Sequence, residues 1–233
     1  MKKEKNVTKK IYSKYSLDNI KKRFLLLGIE DEKEVLKFLN FRLASSIVIF
    51  FIILYTIEMG YILGPVIVFL YYYFLPNIVL DYRIKKRKAK LEQEAMFYFE
   101  VLSLSIESGN NLHNAISITS NSIDSSLSYE FRKVMEEVSF GKSMDESLDK
   151  MKSRIPSDIL NNIILNIRES ILFGNSIVET LNNQIDYLRD KKILETKAVI
   201  SKIPLKISVI SVVFFIPLLL LLILGPVLID YLS

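Results

Sequence analysis

Residues 43–80 read LASSIVIFFIILYTIEMGYILGPVIVFLYYYFLPNIVL, without a single Lys or Arg. One straight helix of that length would extend ~57 Å at about 1.5 Å per residue. The hydrocarbon core of a bilayer is only ~30 Å thick. The block must therefore fold back on itself. Its break is Glu58-Met59-Gly60, followed by Gly64-Pro65. A carboxylate at mid-bilayer would cost roughly 2.5–3.5 kcal/mol on insertion scales, and a turn at the far interface avoids that cost. Leu43–Ile57 is read as the first span and Tyr61–Leu80 as the second. Phe38, Leu39 and Phe41 extend the first, with Arg42 snorkelling to the headgroups. Tyr71, Tyr72, Tyr73 and Tyr82 lie toward the end of the second, as in an interfacial aromatic belt.

A second apolar block, Ile207–Ile229, is also free of Lys and Arg. Its length of ~34 Å suffices to cross with some tilt. Pro217 predicts a kink there. Half of the 233 residues are hydrophobic, and these blocks hold many of them. That excludes an ordinary soluble enzyme and predicts a membrane protein with a sizeable water-exposed part. The absence of cysteine excludes a disulfide scaffold, a thiolate zinc site, an iron–sulfur cluster and a thiol nucleophile. Residues 1–42 are charged and open with no signal-peptide pattern, so the hairpin is expected to act as an uncleaved targeting signal.

The charges predict the topology. Of the 31 Lys and Arg, 12 lie in residues 1–42 and the other 19 in residues 83–206. The positive-inside rule puts both of those regions in the cytoplasm and the C-terminus outside. The run Arg83, Lys85, Lys86, Arg87, Lys88, Lys90 follows the second span directly. It reads first as a topology anchor on anionic lipid, and second as a contact for an acidic partner or nucleic acid.

Between the blocks, apolar residues recur at helical spacing. Leu91, Ala95, Phe99, Leu102 and Ile106 form one stripe, and Leu127, Phe131, Val134 and Val138 another. Leu160, Ile164, Ile167 and Ile171 form a third, and Ile177, Leu181, Ile185 and Leu188 a fourth. Such faces pack helix on helix in a bundle. An internal repeat marks the junctions: Gly109-Asn110-Asn111-Leu112, Gly141-Lys142-Ser143-Met144 and Gly174-Asn175-Ser176-Ile177. Gly ends one helix in a left-handed conformation. Asn111, Ser143 and Ser176 cap the next, and Glu146 and Glu179 stand where they complete capping boxes. Helices are expected at 90–108, 112–122, 126–140, 144–154, 157–173 and 177–203. The last is expected to continue toward the third span, bending at Pro204.

Catalytic chemistry is sparse. The single histidine, His113, sits just inside a capped helix start, where a surface role is the ordinary one. No metal-ligand cluster can be assembled around it, and no cofactor is implied. The glycine junctions lack the following Lys-Ser or Lys-Thr of a phosphate-binding loop. Nucleic acid is not a predicted partner, because membrane topology accounts for the basic charge. A scaffold or coupling protein is the default, and an enzyme is not expected.

The stretch Leu104-Ser105-Ile106-Glu107-Ser108-Gly109-Asn110-Asn111-Leu112-His113-Asn114-Ala115-Ile116 resembles the opening signature of the type II secretion F domain. Tyr187-Leu188-Arg189-Asp190 through Glu195, Ala198, Lys202 and Pro204-Leu205 is similar to that family's closing stretch. Phe24-Leu25-Leu26-Leu27-Gly28-Ile29, with Phe38 and Arg42, resembles the N-terminal motif of the tight-adherence pilus branch. The resemblance implies an inner-membrane platform subunit that couples a hexameric secretion ATPase to insertion of pilin-like subunits. It also implies an all-α fold with a cytoplasmic antiparallel six-helix bundle. The resulting plan is a cytoplasmic helical segment (1–42), a transmembrane hairpin (43–82), the bundle (83–203) and a third transmembrane helix with a short outside tail (204–233). Many members carry two bundles, so a homo-oligomer or a sister platform protein is an implied partner, beside membrane lipids. The alternative is a membrane-anchored adaptor or receptor binding a cytosolic partner through its bundle.

Overall fold

Helical spacing of the apolar residues, polar caps at the junctions and few interior breakers dictate helices along the chain. The computed structural model describes residues 14–56, 60–173 and 176–232, with only the backbone described at 14–16 and 225–232. These residues form α1 (Lys14–Leu26), α2 (Glu32–Thr56), α3 (Gly60–Glu107), α4 (Leu112–Ser122), α5 (Ser126–Ser139), α6 (Met144–Arg154), α7 (Asp158–Phe173), α8 (Ile177–Ile200) and α9 (Ile203–Leu232). The protein is all-helical. Among the described residues three stretches are long and apolar enough to cross a membrane: Glu32–Thr56, Gly60–Glu107 and Ile177–Leu224.

The chain divides into two units, Met1–Gln184 and Ile185–Ser233. In the first, α2 and α3 pack along each other, and α1 packs against both. Leu17, Ile20, Phe24, Val35, Leu39 and Leu80 close a core among these three helices. Further along α3, α4–α7 gather around Tyr98, Phe99 and Phe131. The Tyr98 and Phe131 rings stack with centroids 4.7 Å apart. The buried Tyr98 hydroxyl meets Ser120 Oγ at 2.8 Å, which satisfies a polar group that burial would otherwise penalise. Most of the first three apolar stripes face this core: Leu91, Ala95, Phe99 and Leu102, then Leu127, Phe131 and Val134, then Leu160, Ile164 and Ile167.

One difference from the sequence reading concerns α3. The second span and the helix expected at 90–108 are a single helix of 48 residues, about 72 Å long. The basic run between them contains neither Gly nor Pro and consists largely of good helix formers. Lys88 faces Glu92 at 3.9 Å and Lys90 faces Glu94 at 3.8 Å, one turn on in each case, which supports the same helix. Gly64-Pro65, read as part of the hairpin break, lies inside α3, which also runs through Pro76. The remainder of that break, Glu58-Met59, lies outside the described residues.

Within the second unit, α8 and α9 are separated by a turn at Ser201-Lys202. Pro204 has no N–H to bond the Ile200 carbonyl, so α8 ends there and Pro204 enters the first turn of α9. The expected helix to residue 203 is therefore three residues shorter. Along α9 even large apolar side chains such as Phe214 and Leu221 are exposed, as suits a helix whose surroundings are lipid.

Candidate functional site

At the first glycine junction Gly109 has φ +94°, and its N–H donates to Ile106 O at 2.9 Å. Asn110 N–H donates to Ser105 O at 3.4 Å, which completes the paired bonds of a Schellman helix end. Gly141 repeats the arrangement at φ +94°, with bonds from Gly141 N to Val138 O (2.9 Å) and from Lys142 N to Glu137 O (3.2 Å). Gly174 lies outside the described residues. Each following helix has its cap: Asn111 Oδ1 accepts from Asn114 N (2.8 Å), Ser143 Oγ from Glu146 N (3.1 Å) and Ser176 Oγ from Glu179 N (3.3 Å). The carboxylates of Glu146 and Glu179 make no return bond among the described residues. Both are exposed, and water competes for them. His113 is exposed in the first turn of α4.

A buried ionic cluster that the sequence reading passed over ties these helices to the N-terminal segment. Arg87, projecting from α3, donates Nη1 to the carbonyls of Leu26 and Arg154, both at 2.6 Å. Its Nη2 donates to Glu130 Oε1 on α5, also at 2.6 Å. The other Glu130 oxygen accepts from Arg154 Nε, at the end of α6, at 2.9 Å. Arg154 and Glu130 have no solvent exposure. Arg154 Nη1 goes on to Glu137 Oε1 (3.2 Å) and faces Glu30 Oε1 (3.7 Å) in the connector between α1 and α2. Lys142 and Lys150 each reach Glu137 at 2.8 Å.

Gly28 makes the close approach possible. It closes α1 at φ +77°, with Gly28 N bonded to Leu25 O (2.8 Å) and Ile29 N to Phe24 O (3.0 Å). A Cβ there would stand 2.8 Å from Arg87 Nη2 and 3.2 Å from Glu130 Oε1. Only glycine combines the left-handed backbone with that space.

Burial pushes the Glu137 carboxyl up, but hydrogen bonds from Lys142, Lys150 and Arg154 outweigh this and hold it at about 2. Across α6 and α7, the Arg168 guanidinium holds Asp145 below the usual carboxylate range. Burying charges costs roughly as much as pairing them returns, so such a cluster contributes orientation more than net stability. It sets the α1–α2 connector, α3, α5 and α6 in one register.

The basic run splits. Arg83, Lys85 and Lys86 are exposed and without an ion pair among the described residues. Lys88 also faces Asp158, at 3.9 Å. Arg87, read as a partner or lipid contact, instead turns inward, where Glu130 and two carbonyls accept from it. Arg42, read as snorkelling outward, is 4% exposed and stacks 3.7 Å over the Tyr72 ring. The attraction of the guanidinium to the ring face holds it between α2 and α3. Among the described residues no group of His, Asp or Glu is placed to hold a metal ion.

Residues 98–225 match the family described as Type II secretion system (T2SS), protein F. No curated protein and no solved structure gives a significant match to the chain. The matched segment begins at the aromatic core of α3, takes in the capped junctions and the α5 and α6 members of the ionic cluster, and ends within α9. With over half of its length matched in this way, the chain belongs to the type II secretion system protein F family.

Proposed function

We propose that the protein is an inner-membrane platform subunit of a tight-adherence type pilus or related secretion machine, coupling a cytoplasmic secretion ATPase to pilin insertion. Proteins of this family are structural membrane platforms of secretion and pilus systems, and they partner with secretion ATPases. The observation that carries the reading is α3. It runs unbroken from the apolar hairpin into the packed helices, and Arg87 locks its middle to α5, α6 and the end of α1. A rigid helix held in this way can pass a displacement of the packed helices to the hairpin.

In this reading residues 83–203 are the cytoplasmic part of the chain, and the second half of α3 with α4–α7 supplies its packed helices. The N-terminus is cytoplasmic and the C-terminus outside, in keeping with the confinement of Lys and Arg to residues 1–42 and 83–206. The exposed Arg83, Lys85 and Lys86 are available to an acidic surface of the ATPase or to anionic lipid. The Gly109, Gly141 and Gly174 junctions serve shape. A second copy or a sister platform protein is a further proposed partner.

Deleting the gene should abolish filament assembly or secretion while the ATPase and pilin are still made, and the wild-type chain should restore it. Normal assembly in the deletion strain would favour a membrane-anchored adaptor instead.

A further inference from the structure

Between α1, α2 and α3 lies a cavity of about 430 Å³, lined by Asn19, Arg23, Arg42, Tyr72, Tyr73 and Asn77 among others. It is separate from the ionic cluster around Arg87. Its two cations differ in their pairing. Arg23 Nη1 donates to Asn77 Oδ1 at 2.9 Å and faces Asp81 Oδ1 at 3.4 Å. Arg42 has no carboxylate and no hydrogen-bond acceptor among the described residues, and its buried Nε is an orphan donor. Among the described residues its contact of charge is the Tyr72 ring.

A buried guanidinium without an anion is costly, and more so near hydrocarbon. Arg42 is the last cation before the stretch 43–82, which has none. From Leu43 to the end of α2 at Thr56 the helix rises only about 21 Å, less than the ~30 Å hydrocarbon core. The level of Arg42 therefore falls at or below the headgroup boundary if the hairpin tip lies at the far interface. Water is a poor supplier of charge at that depth, and the nearest mobile anion is a lipid phosphate. Asp81 offsets Arg23, so among the described residues the cavity carries the net charge of Arg42. That single charge matches the monoanionic phosphodiester of a headgroup. The polar side chains of Asn19 and Asn77 can bond a headgroup hydroxyl, whereas a headgroup ammonium would face the two arginines.

The geometry points to this cavity as a binding site for the phosphodiester of an anionic phospholipid, of the phosphatidylglycerol kind, with Arg42 as its charge partner. The bound headgroup completes the packing of α1 against the hairpin. It thereby joins the N-terminal segment to the membrane at a defined depth.

Native mass spectrometry of the full-length protein in detergent, titrated with phosphatidylglycerol or phosphatidylcholine, tests this. The wild type should retain one phosphatidylglycerol, bound about tenfold or more tightly than phosphatidylcholine, whose ammonium would stand against Arg23 and Arg42. Arg42→Met should lose that preference, while Arg83→Gln/Lys85→Gln/Lys86→Gln should keep it. Equal affinity of the wild type for the two lipids would overturn the proposal, whatever the folding of the variant. So would unchanged preference in Arg42→Met, or loss of it in the triple variant. Displacement of the lipid by inorganic phosphate at comparable concentration would assign the cavity to free phosphate and overturn the lipid assignment.

Discussion

Arg154 Nε on α6 donates to Glu130 Oε2 on α5 at 2.9 Å, and neither residue is exposed to solvent. Removing one member of a buried pair strands the other. Arg154→Met should therefore destabilise the protein by about 3–5 kcal/mol. The double variant Arg154→Met/Glu130→Gln should cost less than the sum of the two single changes, because the two residues share one network. Chemical denaturation of the detergent-solubilised protein, followed by circular dichroism, measures both.

Gly28 and Gly109 both sit at positive φ, but their surroundings differ. An alanine at Gly109 would meet nothing within 4 Å, whereas one at Gly28 would press on Arg87 and Glu130. Gly109→Ala should cost about 1–2 kcal/mol, the strain of a left-handed backbone alone. Gly28→Ala should cost distinctly more. Equal unfolding midpoints for the two variants would contradict the close approach at Gly28.

Glu137 supplies a pH signature. Its folded value, about 2, lies below the ordinary 4.5. The unfolded chain therefore takes up this proton first on acidification. The stabilisation is fully present above about pH 4.5 and is lost as pH falls toward 2. Thermal midpoints of the wild type and Glu137→Gln should differ at neutral pH and converge across that window. Parallel curves would show that the three cations do not act on Glu137 as the geometry implies.

Ser143 caps α6 through the Glu146 N–H. Ser143→Ala should cost about 1 kcal/mol, and Ser143→Asp should retain most of the stability. Unfolding midpoints of the purified variants decide it.

Much of this architecture was legible because helix ends are chemically local. Asn111 and Ser143 announce α4 and α6 by residue type, and those helices occupy 112–122 and 144–154, the ranges their caps predict. The apolar stripes of α3, α5 and α7 follow from period alone. The ionic cluster was harder to see because its members meet only in three dimensions. A signal did exist. Glu130 falls within the stripe of Leu127, Phe131 and Val134, and Arg154 continues the spacing of Leu148 and Met151. A charge on an apolar face needs a buried partner. Gly28 ends a short apolar run, Phe24–Leu27, and Ile29 after it packs back on the core of Phe24, as a Schellman end requires. Arg42 and Arg87 could not be oriented from charge counts, since the acceptors for Arg87 and the ring beneath Arg42 come from other helices.

The central claim is that this chain is a platform on which a motor ATPase acts. The most direct measurement is crosslinking in native membranes, followed by pull-down of the tagged full-length chain and identification of what comes with it. The account predicts that a hexameric secretion ATPase is recovered, and that crosslinks placed at Arg83, Lys85 or Lys86 or on the exposed faces of α4–α7 reach it. Recovery of the chain with pilin or lipid but with no ATPase, under conditions in which the filament is being built, would contradict it.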